Sequence, residues 1–141
     1  MKHILIILII GSCSIGCRTE HGEESKRPLV KEDQPTALAP RNVDQAIKLL
    51  KVKLTDGEID EIKVKQESQM VGYHYSIGLW IRNNWLCKES PLKIYFNQQG
   101  IYERDTMSGI ILVSLWRSLH GLPAKVEEQI AHYKITHPNE K

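Results

Sequence analysis

The chain has 141 residues, enough for one ordinary domain with a tail but not for two full-sized domains. Charged residues make up 26% and hydrophobic residues 41%, which excludes a disordered chain, and only 6% are aromatic, so the core must be mostly aliphatic. Nineteen Lys and Arg against seventeen Asp and Glu leave a net charge of +2, spread without segregation, which gives no electrostatic footprint for nucleic acid.

Lys2 and His3 precede an unbroken apolar run, Ile4 to Ile10, and the small residues Gly11 and Ser12 lead into Cys13. This is the layout of a secretory signal, and the run is far shorter than the ~20 residues a membrane-spanning helix needs. Ile10, Gly11, Ser12 and Cys13 together resemble a bacterial lipobox, in which the cysteine is lipidated and becomes the new N-terminus. Cys17, after Ser14, Ile15 and Gly16, fits that pattern less well. Residues 1–12 are thus expected to be a lipoprotein signal peptide, with Cys13 as the lipidation site. More than one acyl chain anchors stably, so the expected partner is a membrane. Ser14 rather than Asp after the lipidated position resembles the outer-membrane lipoproteins of Gram-negative bacteria.

Residues 13–40 read as a tether. Pro28, Pro35 and Pro40 interrupt a charged stretch with few large apolar groups, which cannot bury enough surface to fold. About 24 such residues span roughly 25 to 30 Å as a coil and about 80 Å fully extended.

From residue 41 to 137 the pattern is helical, and the expected fold is an all-α, compact, irregular bundle of about six short helices. Asn42 caps the first helix, with Val43, Ala46, Ile47, Leu50 and Leu54 at helical spacing. Thr55 and Glu58 make a capping box for the second, which turns Ile59 and Ile62 inward. A third is expected from Ser68 through Trp85, with Val71, His74, Tyr75, Gly78, Ile81, Arg82 and Trp85 on its inner face. Ser90 and Pro91 start the fourth, with Leu92, Tyr95 and Phe96 inward, and Gly100 stops it. Asp105 or Thr106 is expected to cap the fifth, which carries Met107, Ile110, Ile111, Leu115 and Leu119 up to Gly121. Pro123 is expected to begin the last, with Val126, Ile130 and Tyr133 inward.

Several of these residues form a recognisable set: His74, Gly78, Trp80 through Trp85, Gly100 with Ile101 and Tyr102, then Asp105, Thr106, Met107 and Ser108. From Pro40 to Leu122 the chain resembles a small bacterial domain family of unknown function. That family has a His-x-x-x-Gly-x-x-Ile-Arg-Asn-x-Trp segment and an Asp-Asp-Met-Ser helix start. Thr106 stands where the family tends to have a second Asp, and Cys87 lies near where a further Trp is usual. The resemblance implies no activity that could be carried over.

His74, Gly78 and Arg82 are spaced by four and share a helix face, an unusual polar seam in an apolar helix. Gly78 suggests close approach of another backbone. Two readings of the cluster His74, Arg82, Asn83, Asn84 and Asp105 stand at this point. In one, Arg82 pairs internally with Asp105 while the two asparagines bond loop carbonyls. In the other, Arg82 and the asparagines form a fork for an anion or carboxylate. No nucleophile elbow surrounds Ser108, and no catalytic residue is assigned. His132 and His137 lack companions for a metal site, and no phosphate loop or dinucleotide fingerprint occurs, so no metal or cofactor is expected. Cys87 could pair with Cys17 but is expected to be free and partly buried.

The expected function is a lipid-anchored envelope protein, on the outer membrane, with a non-catalytic domain that binds a protein or cell-wall partner. The alternatives are an immunity-type partner of a secreted toxin, or an envelope enzyme using His74, Arg82 and Asp105.

Overall fold

A computed structural model describes residues 39–138. Cys13, Cys17, the signal peptide and nearly all of the tether lie outside the described residues. Six helices follow in chain order, and no strand occurs among the described residues.

The first two helices form as local chemistry dictates. Helix α1, Val43–Lys53, starts where Asn42 Oδ1 accepts the Gln45 N–H at 3.0 Å, and Gln45 Oε1 accepts the Arg41 N–H at 2.9 Å in return. Helix α2, Asp56–Lys63, opens on the expected capping box: Thr55 Oγ1 accepts from the Glu58 amide, and Glu58 Oε2 accepts from the Thr55 amide at 2.8 Å. Val43, Ala46, Ile47 and Leu50 from α1 and Ile62 from α2 are buried, as their spacing requires.

The third helix departs from expectation. It starts at Glu67 and winds in three ways: a 3₁₀ stretch Glu67–Tyr73, a π-helical turn His74–Gly78, and α3 proper, Leu79–Asn84. Ile81, Arg82 and Trp85 point inward as expected, but Val71 and Tyr75 are 76% and 83% exposed, and Met70 and Ile77 are buried instead. The buried stripe runs through Met70, Ile77, Gly78, Ile81 and Arg82, with Tyr73 and His74 half-buried beside it, so Val71 and Tyr75 lie beyond its edge and face solvent. Tyr73 Oη donates to Glu61 at 3.2 Å, and burial together with that carboxylate pushes the phenol up to about 12.

Helix α4, Pro91–Gln98, has Ser90 as its cap, Leu92 and Phe96 buried, and Gly100 at φ +74° as its stop. Helix α5, Arg104–Leu119, is the central element and packs against every other helix. That explains burial on most of its circumference, from Met107 and Ser108 through Ile110, Ile111 and Leu112 to Ser114 and Leu115. Its cap is Glu103, without a side-chain bond, and not Asp105 or Thr106. Asp105 lies one position inside the helix, in its first turn, where its side chain is free to reach another partner.

Helix α6, Val126–Thr136, begins three residues later than Pro123 suggests, after Lys125 in the left-handed region at φ 55°. The carbonyls of Pro123 and Ala124 are engaged by the side chains of Arg117 and Gln129, at 2.7 and 2.8 Å, and not by helical amides. Val126 and Ile130 are buried, and Tyr133 packs against the core edge.

Candidate functional site

The polar residues that stand out in the sequence meet where α3 crosses the first turn of α5. Arg82 is buried, with 8% of its side chain exposed, because Ile81 and Trp85 on the same helix carry it into the core. A guanidinium taken out of water needs acceptors for its N–H groups. Three surround it. Nε lies 2.9 Å from Asp105 Oδ1, Nη1 donates to Ser108 Oγ at 2.9 Å, and Nη2 donates to the His74 carbonyl at 3.1 Å. Ser108 Oγ in turn donates to the Asp105 carbonyl at 2.9 Å, so the hydroxyl is held in place by the same turn of helix that supplies the carboxylate.

Gly78 makes room for this arrangement. A Cβ there would stand 3.2 Å from Arg82 Nη1, 3.3 Å from the Tyr73 carbonyl and 3.4 Å from Leu112 Cδ1. What comes close to Gly78 is thus the guanidinium and a leucine of α5, with a carbonyl of its own helix, and not the backbone of another helix as the sequence suggests.

His74 completes the rim. Its Nε2 is 3.7 Å from Asp105 Oδ1, too far for a hydrogen bond but close enough for a charge contact when the ring is protonated. Its ring meets Tyr75 edge to face, with centroids 4.9 Å apart. The carboxylate of Asp105 is 65% exposed, so the cluster has a buried cation at its base and an acidic, solvated mouth.

The asparagines do not belong to it. Asn83 is exposed, and Asn84 Nδ2 donates back to the Trp80 carbonyl of its own helix at 2.8 Å. Among the described residues neither bonds a loop carbonyl, and neither extends the Arg82 fork. Ser108 is the member that sequence reasoning passed over. Its position three residues after Asp105, on the same face of α5, is the signal that could have found it.

Among the described residues no group of three His, Cys, Asp or Glu side chains is placed to hold a metal ion. His132 is exposed, and His137 stacks on Tyr133 with centroids 4.5 Å apart. Cys87 is free and half-buried, with its sulfur 3.9 Å from the Asn84 carbonyl.

The sequence model of one family, described as a domain of unknown function (DUF6794), matches residues 39–119, more than half of the chain. The chain belongs to that family. No curated protein and no solved structure matches it. The DUF6794 match runs from just before α1 to the last residue of α5 and so contains the whole Arg82 cluster, whereas α6 lies beyond it.

Proposed function

We propose that this DUF6794 protein is a cell-envelope lipoprotein, anchored on the outer membrane through Cys13, whose helical domain binds a protein or cell-wall partner without chemistry of its own. The anchor rests on Ile10, Gly11, Ser12 and Cys13 following the apolar run. The non-catalytic reading is carried by one observation. The most reactive-looking constellation has its guanidinium buried and engaged by Asp105, Ser108 and His74, all from the chain itself. Charged groups so arranged hold two helices in register, and a substrate would have to break them apart to reach Arg82. No described helix is long and apolar enough to cross a membrane, and the proposed attachment needs none.

Metabolic labelling with a clickable fatty acid tests the anchor. The expected result is that Cys13→Ala abolishes the label and releases the protein from the membrane fraction. Label that persists in Cys13→Ala and disappears in Cys17→Ala would move the anchor, and no label on the wild type would overturn it. The non-catalytic reading fails if the full chain turns over cell-wall fragments and His74→Ala abolishes that turnover.

A further inference from the structure

The outward side of the third helix is exposed without being charged. From Ser68 to Asn84 the sequence holds one Arg and no Lys, Asp or Glu, and that residue, Arg82, is turned into the core. In a chain with 26% charged residues, an exposed helix face of this length would ordinarily carry several. It carries instead an apolar stripe spaced by four, Val71, Tyr75 and Leu79, at 76%, 83% and 44% exposure, which ends on the exposed Asn83. Beside the stripe Gly72 keeps the surface low, with nothing within 4 Å of the place a Cβ would take. Contiguous exposed apolar surface in which Tyr is present and Lys and Glu are missing has the composition of an interface centre.

The edges of this face identify what covers it. On α3, Leu79 lies between its two flanks: Trp80 is about 100° further round the helix and Arg82 about 60° back. Along the Arg82 flank stands the Asp105 carboxylate, 65% exposed and next to His74. Along the Trp80 flank stands Lys53 of α1, its Nζ 4.4 Å from the centre of the indole. A partner of one charge sign would match one edge and be repelled at the other. An uncharged strip with an anion along one edge and a cation along the other is complementary to itself, once a copy is turned by half a revolution about an axis parallel to the strip, because each acidic edge then meets a basic one. The antiparallel pairing would set acid against acid and cation against cation. We infer that this face is the interface of a homodimer, in which the third helices of two copies of the chain pack in parallel, with Val71, Tyr75 and Leu79 of each against the same residues of the other.

The dimer stands apart from the anchor, which fatty-acid labelling tests separately. Cysteine cross-linking of the full chain in cell membranes tests the dimer, in a Cys17→Ser, Cys87→Ser background and read above that background. A two-fold axis along the strip puts each stripe residue opposite its own copy. Val71→Cys, Tyr75→Cys and Leu79→Cys are therefore each expected to give disulfide-linked dimers under mild oxidation, whereas Ile135→Cys, an equally exposed apolar site on α6 at 78%, stays monomeric. Adding Tyr75→Glu to the Leu79→Cys chain sets two carboxylates face to face and is expected to abolish its dimer while the helical circular dichroism is unchanged, since Tyr75 contributes nothing to the core. Linkage at only one of the three positions would mean an antiparallel crossing, and dimers of Ile135→Cys as abundant as the others would mean chance encounter on the membrane. Linkage of Tyr75→Cys to a protein of another mass, or to none, would mean that something else covers the face. Each of these results overturns the inference.

Discussion

Two ion pairs fasten the Glu67–Asn84 segment along α5, one at each end, and they differ in where the cation sits. At one end Arg82 is buried, and its three nitrogens each meet a different acceptor. At the other, Arg117 Nη1 meets both oxygens of Glu67, at 2.8 and 2.9 Å, while its Nε donates to the Pro123 carbonyl in an exposed turn. The carboxylates do not follow the same order, since Asp105 is more exposed than Glu67. The cost of losing a pair is set by the member that stays behind in the core. Removal of Asp105 strands the more enclosed cation, at 8% exposure, whereas removal of Glu67 leaves one at 14% exposure that still donates to the Pro123 carbonyl.

The largest expected effect is accordingly at the buried end. Asp105→Ala and Arg82→Ala should each destabilise the domain by about 2 to 4 kcal/mol, while the double mutant should cost much less than their sum. Chemical denaturation of the four proteins of the cycle measures the coupling. Additive losses would mean that the two residues act independently and that the pair does not hold the helices together.

How much of this was legible beforehand depended on how local the cause was. The Asn42 and Thr55 caps, the Ser90–Pro91 start and the Gly100 and Gly121 stops are all set by neighbours within four residues, and all of them form. The Arg82–Asp105 contact was legible for a related reason: a guanidinium on an apolar helix face needs a counter-ion, and Asp105 at the start of the next long apolar helix is well placed to supply one. Val71 and Tyr75 were misplaced because the spacing admits two adjacent stripes, one through Val71 and Tyr75 and one through Met70, His74 and Ile77, and only the packing against α5 selects the second.

An intermediate effect is expected from Gly78→Ala. Alanine would raise helix propensity by up to ~1 kcal/mol in an open helix, which opposes the steric cost. Here the added methyl meets Arg82 Nη1 at 3.2 Å and a carbonyl oxygen at 3.3 Å. The carbonyl belongs to the backbone and yields little, so the guanidinium must shift, and the net loss should be about 1 to 2 kcal/mol. The comparison sharpens if the loss shrinks in an Arg82→Ala background, because the clash then has no guanidinium to displace. An equal loss in both backgrounds would assign it to the Tyr73 carbonyl or Leu112 alone.

The smallest expected effect is at the Glu67 end. Glu67→Gln keeps one acceptor for Arg117 and removes the charge from a part-buried pair, with an expected loss of about 1 kcal/mol. Salt separates it from its buried counterpart. Raising ionic strength from 0.1 M to 1 M shortens the screening length from about 10 Å to about 3 Å. The difference between wild type and Glu67→Gln should then shrink, and the Arg82–Asp105 coupling should shrink less, because Arg82 is the more enclosed of the two cations and keeps its bonds to Ser108 and the His74 carbonyl. If Glu67→Gln instead cost more than Asp105→Ala at either ionic strength, the order of the two ends would be reversed, and carboxylate exposure, not burial of the arginine, would be the quantity that decides.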